Sequence, residues 1–335
     1  MAAPHSVLRR LAGFGLKLGI SAGILYWLFQ HTDLQAVAAR ARAAHPLWLV
    51  AALAIYGVTV LISAWRWRLL LEAIDAPAPI GRLTNSWLVA LFFNNFLPSN
   101  IGGDVVRVAD SVALTGSRTV AAAVVLVDRA MGLAALLVVA SLGAWIAAAE
   151  GIAVPARDYL WLAAFGCVAA GVPTLYRPRL LARLLAPVGT LHPELVGTRV
   201  DRFLRAVEQI SGHPVRVTQA LLGAVAVQTL LVVYHLVIAQ AIGVSLTPTM
   251  GLVIVPVSLV MQMAPVSVNG FGVREAVFTF FFARLGLPAD AAIALSLLSA
   301  ALIMLFSLSG GAVFLFRRHR GERLDFEAIP DGASS

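Results

Sequence analysis

Residues 84–101 read TNSWLVALFFNNFLPSNI, and residues 249–269 read TMGLVIVPVSLVMQMAPVSVN. Each is an apolar run that stops in Pro, Ser, Asn and Gly. A proline removes an amide donor and blocks helix continuation, and glycines then permit a sharp reversal. Each run is followed by a shorter, partly polar segment, 102–114 and 271–285. This is the pattern of a helix that enters a bilayer, breaks and returns. Irregular backbone at membrane depth survives only where it is buried in protein or lines a wet cavity. Two breaks therefore imply a cavity or a tightly packed centre. The plainer alternative is two ordinary spans that end in interfacial loops.

The rest of the chain supports a membrane setting. Of its 335 residues 60% are hydrophobic and 13% charged, and the mean hydropathy is +0.87. Soluble domains carry about 25% charged residues, so this chain lacks the polar surface that water would require. Six segments read as full spans, near 11–30, 47–65, 119–149, 159–176, 217–242 and 289–316, each near or above the length that marks a transmembrane helix. The expected fold is all-α and integral to a membrane, with about six full spans and two re-entrant hairpins. Arg9, Arg10 and Lys17 precede the first apolar stretch as in a signal peptide, but no small-residue cleavage pattern follows, so 11–30 is read as a retained span. The single cysteine, Cys167, lies in an apolar run; it excludes an intramolecular disulfide and cannot form a zinc site alone.

The formal net charge is +8, and Lys17 is the only lysine. Arginine placement sets the expected topology, because cytoplasmic loops collect basic residues. With residues 1–10 cytoplasmic, Arg66, Arg68 and Arg82 fall inside after the second span, and Arg107 and Arg118 flank the first hairpin on that side. The 150–158 loop with Glu150 and Asp158 falls outside. Segment 177–216, with Arg177, Arg179, Arg183, Arg199, Arg202, Arg205 and Arg216, is cytoplasmic, as is the 317–335 tail with Arg317, Arg318, Arg320 and Arg323. Arg40 and Arg42 are the misfits, placed outside. Segment 177–216 reads either as amphipathic helices on the anionic inner leaflet or as a topology-setting loop. Nucleic-acid binding has no support, since neither a soluble basic domain nor a recognition motif is present.

The order of two spans, a hairpin and a span occurs twice, over 11–149 and 159–316, and starts from opposite sides. Leu97-Pro98-Ser99-Asn100-Ile101-Gly102-Gly103-Asp104-Val105-Val106-Arg107 parallels Ala264-Pro265-Val266-Ser267-Val268-Asn269-Gly270-Phe271-Gly272-Val273-Arg274. Inverted repeats with broken helices in corresponding positions are typical of transporters, whose substrate sits at the repeat interface.

The Pro98–Asp104 motif with Arg107, the Asp128-Arg129 pair, and the run from Pro265 through Asn269-Gly270-Phe271-Gly272-Val273-Arg274-Glu275 resemble the flippase-like membrane domain of the lysylphosphatidylglycerol synthase/flippase family. The resemblance covers roughly residues 10–318. It implies an inner-membrane protein that moves, or helps to move, a lipid across the bilayer. Bifunctional members carry a soluble aminoacyl-transfer domain after the membrane part. This chain ends shortly after its last span, so synthase activity is expected to be absent and the substrate does not carry over. Stand-alone relatives are associated with varied lipid and lipid-linked glycan pathways.

An ionisable residue inside a membrane is expensive and counts as a functional candidate. Asp104 and Arg107 lie three apart on one helical face. Either Arg107 meets a phosphate through its planar donor fork while Asp104 orients it or binds a headgroup amine, or the two form an internal ion pair that lets the hairpin bury. The Gly102-Gly103 amides suggest a small anion nest. Asn94, Asn95, Ser99 and Asn100 either contact substrate or satisfy backbone groups freed by Pro98. Asp128 and Arg129, adjacent in a span and about 100° apart, are each expected to partner a hairpin residue. Arg274 and Glu275 follow the second break, supported by Asn269, Gly270, Ser267 and Gln262; Glu275–Arg129 or Asp128–Arg274 would make a gate. Gln228 and His235 share a face of the fifth span, the histidine most simply as packing.

No metal-ligand spacing and no nucleophile–base or zinc-protease motif appears, so neither a cofactor nor an enzymatic site is expected. Three functions remain. The first is a flippase or transporter of an anionic phospholipid or lipid-linked envelope precursor in the inner membrane, with both termini cytoplasmic. The second is a non-catalytic scaffold that meets lipid-biosynthesis enzymes. The third is an enzyme acting on lipid, for which Asp104, Asp128 and Glu275 are the available proton-transfer groups.

Overall fold

The computed structural model describes residues 4–96, 102–152, 154, 158, 161–163, 165–166, 197–264 and 266–319, with side chains in the first helix from residue 15 onward. Regular structure among them is helical: α1 (Pro4–Gln30), α2 (Leu34–Ala43), α3 (Pro46–Glu72), α4 (Ile80–Phe96), α5 (Gly102–Thr115), α6 (Arg118–Ala149), α7 (Thr198–Ser211), α8 (Pro214–Ala241), α9 (Pro248–Met263), α10 (Val273–Arg284) and α11 (Ala289–His319). Proline opens α3, α8 and α9, where its missing amide costs nothing. Asp33, Ser117 and Thr247 cap α2, α6 and α9 through their side chains.

Helices α3, α6, α8 and α11 are each long and apolar enough to cross a membrane; at a rise of about 1.5 Å per residue, even the shortest spans roughly 40 Å. Their outer faces carry Leu126, Leu142, Trp145, Leu222, Leu305 and Leu315 in exposed positions, a surface that water would not tolerate and acyl chains match. The chain is a multi-pass α-helical membrane protein. The fourth expected span, 159–176, lies for the most part outside the described residues, as do Cys167, Arg177, Arg179, Arg183, Arg320 and Arg323.

Contacts at the helix termini sort the bundle into two ends. At the first end, Arg216 donates to the Glu72 carbonyl at 2.8 Å, Gln209 donates to Asp75 at 2.9 Å, and Arg317 grips Asp110 through two bonds of 2.9 and 2.8 Å. At the second end, the His45 amide donates to the Ala241 carbonyl at 2.9 Å, Thr249 donates to Glu150 at 3.0 Å, and Arg40 pairs with Asp290. Helices α4 and α5 form a hairpin whose arms start and finish at the first end; α9 and α10 form one at the second end. Between the two ends, the Asn269 amide nitrogen donates to the Asn95 carbonyl at 2.9 Å. Besides a small apolar cluster of Val89, Ala90 and Val106, two larger cores form. One gathers Trp67, Leu70, Leu83 and Ile210; the other gathers Tyr234, Ile254, Phe278 and Ile293.

Two elements differ from the sequence reading. Helix α2 was not anticipated. It carries Arg40 and Arg42, and its Arg40–Asp290 pair explains how the first of these misfit arginines is held. Within 177–216, residues Thr198–Ser211 form an amphipathic helix that buries Ala206, Val207 and Ile210, so the plain-loop reading fails there.

The bundle closes through small residues, as membrane helices do where backbones approach. A Cβ at Gly143 of α6 would sit 2.5 Å from the Leu252 carbonyl oxygen of α9, whereas one at Gly19 meets nothing within 4 Å. Gly143→Ala is therefore expected to lower stability by about 1–3 kcal/mol. Gly19→Ala should change it by less than about 0.5 kcal/mol, both read from thermal unfolding of the protein in lipid nanodiscs.

Candidate functional site

The first turn of α5 sets Asp104 and Arg107 on one face, toward α6 and α3. The Asp128 carboxylate of α6 accepts from Arg66 of α3 at 2.7 Å through one oxygen and from Arg107 at 3.0 Å through the other. Arg66 also donates to the Asp128 carbonyl at 3.1 Å. Asp104 pairs with Arg129 and lies 4.0 Å from Arg107. Arg66, Arg107 and Asp128 are each 4% exposed, so these charges interact with little screening by water. Arg107 is further held between two indoles, its Cζ 4.1 Å from the Trp87 ring centre and 4.8 Å from that of Trp67.

Local backbone makes this possible. Gly103 lies so close to α4 that a Cβ would overlap the Ala90 carbonyl oxygen and the Asn94 side chain. Its amide donates to Asn94 Oδ1 at 2.8 Å. That bond spends the Gly103 donor inside the hairpin. On α3, Arg66 and Arg68 point about 200° apart. Arg68 pairs with Glu72 at 2.7 Å on the accessible face, while Arg66 turns inward.

These residues line a cavity of about 370 Å³ together with Tyr56, Thr59, Ser63, Trp87, Asn94, Gln228 and Met263. Arg66, Arg107 and Arg129 face Asp104 and Asp128, which leaves the described lining with one positive charge in excess. Arg66 Nε, Arg107 Nε and Gln228 Oε1 are buried without a hydrogen-bond partner. Buried polar atoms are rarely left so, and two guanidinium donors beside a cavity suit an anion.

The second break is built differently. Glu275 is fully buried. One carboxylate oxygen accepts from the Gly272 amide at 2.7 Å; the other accepts from Arg274 at 2.8 Å and from Ser296 at 2.8 Å. Arg274 Nε donates to the Ser296 hydroxyl at 2.8 Å. Glu275 thus caps α10 and neutralises Arg274. The gate pairs Glu275–Arg129 and Asp128–Arg274 do not form, because every partner is taken elsewhere. Asn269 adopts φ +54 and Gly270 φ +77 at the turn, a conformation open to Gly and tolerated by Asn. Asn95, Asn269, Gly270 and Arg274 line a second, smaller cavity, and Asn94 lines both. Ser99 and Asn100 lie outside the described residues. Ser267 is buried with its hydroxyl unpartnered. His235 Nδ1 meets the Leu231 carbonyl at 2.8 Å and its ring stacks on Phe278.

Two ionic contacts escaped the sequence. One is Arg66, whose Trp-Arg-Trp-Arg setting offers no signal for which arginine turns inward. The other is Asp110, which binds Ser86 and Arg317, the latter 207 positions away.

The model of the lysylphosphatidylglycerol synthase TM region matches residues 15–311 of the chain. No curated protein matches it.

Removing one partner of a buried ion pair costs about 3–5 kcal/mol, because the other charge stays buried and uncompensated. Asp128→Ala is expected to destabilise the protein by that amount. A double-mutant cycle of Asp128→Ala with Arg66→Met should show coupling of the same sign, read from thermal unfolding in nanodiscs; additive effects would mean that the pair is not formed.

Proposed function

The chain belongs to the lysylphosphatidylglycerol synthase TM region family, and on that footing we propose that it moves an anionic phospholipid or an anionic lipid-linked precursor across the membrane. The observation that carries this reading is the pair of buried guanidinium donors beside the larger cavity. Arg66 and Arg107 each keep an unpartnered Nε. A buried donor without an acceptor is costly. A phosphate or similar anion removes that cost and takes up charge-assisted bonds with Arg107 and Arg66. Asp128 orients the two arginines, Asp104 orients Arg129, and Asn94 at the neck joins this cavity to the second one. Around the second cavity, Asn95, Asn269, Gly270 and the neutralised Arg274–Glu275 pair complete the path. In this reading Gly103 serves close packing.

The proposal includes an inverted repeat in which each hairpin enters from its own side and the substrate sits between the two breaks. The first end of the bundle carries Arg68, Arg82, Arg118, Arg199, Arg202, Arg205, Arg216, Arg317 and Arg318, against Arg40, Arg42 and Arg284 at the second. By the positive-inside rule the first end is cytoplasmic, in the inner membrane. The reading involves movement alone, without bond cleavage.

Two measurements bear on this. In a Cys167→Ala background, Gln35→Cys should react with a membrane-impermeant maleimide added outside intact cells, and Glu208→Cys only after permeabilisation; the reverse pattern inverts the topology. In proteoliposomes, the protein should speed exchange of a fluorescent anionic phospholipid between leaflets. Arg107→Gln leaves Arg66 and Arg129 balanced against Asp104 and Asp128, so the variant should fold. Its rate should fall by about tenfold or more, the worth of one charged hydrogen bond. A folded Arg107→Gln protein with the full rate sinks the assignment.

A further inference from the structure

Lys17 is the only lysine of the chain and the only charged residue between Arg10 and Asp33. It lies within α1, which meets α2 at the second end of the bundle and runs from there toward the first. Arg10 stands seven residues further on, about 10 Å closer to the first end. Lys17 is therefore set deeper in the bilayer than the arginines that precede it.

Its neighbours settle which way this part of α1 faces. Lys17, Ser21, Ile24 and Leu28 follow at steps of four, three and four residues, which puts them on one side of a helix. Ser21 and Leu28 are buried. The Ser21 hydroxyl accepts from the Val268 amide at 2.9 Å, and a Cβ at Gly272 would sit 3.1 Å from Ile24. That side of α1 thus lies against the second break. Lys17 continues it one turn nearer the first end, where it is half-buried. The adjoining surface is open: Leu16 and Leu18 are 67% and 53% exposed, as residues that meet acyl chains are.

A lone ammonium inside a bilayer is costly. Among the described residues the Lys17 ammonium has neither an ion pair nor a hydrogen bond. The carboxylates beside the two breaks are already held: Asp104 by Arg129, Asp128 by Arg66 and Arg107, and Glu275 by Arg274. An ammonium brings three donors and no acceptor, and its compact charge suits a phosphate oxygen. An anion that reaches this flank passes among acyl chains, so it comes attached to chains of its own. A lipid phosphate fits that description and a free phosphate does not.

We propose that Lys17 holds the phosphate of an anionic lipid against α1, on the cytoplasmic side of the second break, and that this lipid is the one received for transport. The receiving role rests on the transport reading above; the binding does not. Ser21 ties the same face of α1 to Val268, and the next residue, Asn269, lines the second cavity. A lipid held at Lys17 therefore waits one helical turn from the path.

The single lysine makes the test specific. The full chain is placed in nanodiscs of phosphatidylcholine, with or without phosphatidylglycerol, and treated with phenyl isothiocyanate, a membrane-permeant reagent for free amines. Mass spectrometry reads modification of Lys17 against that of the amino terminus. Phosphatidylglycerol should slow the labelling of Lys17 by about tenfold, the worth of one charged hydrogen bond. Inorganic phosphate added to phosphatidylcholine discs should not. Equal labelling with and without phosphatidylglycerol overturns the site, and protection by inorganic phosphate reassigns it to a free anion and also overturns it. In proteoliposomes, Lys17→Gln breaks no ion pair, so the variant should fold. Its exchange of phosphatidylglycerol should fall by about tenfold, while Lys17→Arg should keep the rate. A full rate in folded Lys17→Gln overturns the receiving role and leaves transport through Arg66 and Arg107 standing. No exchange by the unaltered protein, with Lys17 still protected, overturns the transport reading and leaves the lipid site. Should Lys17→Gln fail to fold, labelling of the unaltered protein still decides.

Discussion

A single carboxylate, Asp128, holds two arginines from two other helices at 2.7 and 3.0 Å in a place where none of the three is more than 4% exposed. Much of the architecture follows from that demand. The low dielectric that strengthens these bonds also penalises any charge without a partner, so α3, α5 and α6 must converge on one point. Helix α5 reaches it only because α4 breaks short and Gly103 admits close contact. The Trp67 and Trp87 rings then close over Arg107. At the hairpin's other extreme, Asp110 is fastened to Ser86 and Arg317, so the second arm of the hairpin is pinned at both ends by ionic contacts.

The two breaks are alike in sequence and unlike in electrostatics. After the first, Asp104 and Arg107 enter a cluster with Arg66, Asp128 and Arg129 in which two guanidinium nitrogens stay unpartnered. After the second, Arg274 and Glu275 cancel each other, with Ser296 completing the network. Burying a charge beside its counter-charge keeps a helix start in place; burying an unpartnered donor beside a cavity calls for a ligand. The division gives the proposed path a charged compartment and a neutral one, joined at Asn94.

The sequence made the long apolar helices and both breaks readable, because hydropathy and proline–glycine punctuation are local signals. It also singled out Asp104, Arg107, Asp128 and Arg129 as costly residues, and the structure gathers them around one cavity. Pairing was not readable. Arg66 sits two residues from Arg68 in similar apolar surroundings in the chain, yet helix geometry turns one inward to Asp128 and the other outward to Glu72. Glu275 has Arg274 beside it, but only the turn at Gly272 brings its other oxygen to a free amide and makes it a cap. Asp110 and Arg317 are joined across 207 positions, a contact that no window of sequence contains. The same limit explains the failed gate pairs: composition names the charges, whereas rotamers and helix phase choose the partners.

The most direct measurement is a structure of the protein in nanodiscs made with an anionic phospholipid. If the larger cavity is a substrate site, a lipid phosphate will lie within hydrogen-bonding distance of Arg66 Nε and Arg107 Nε, with the acyl chains leaving between the helices. A cavity that holds water alone under anionic lipid, with Arg66 and Arg107 still joined only to Asp128 and Asp104, would contradict the account.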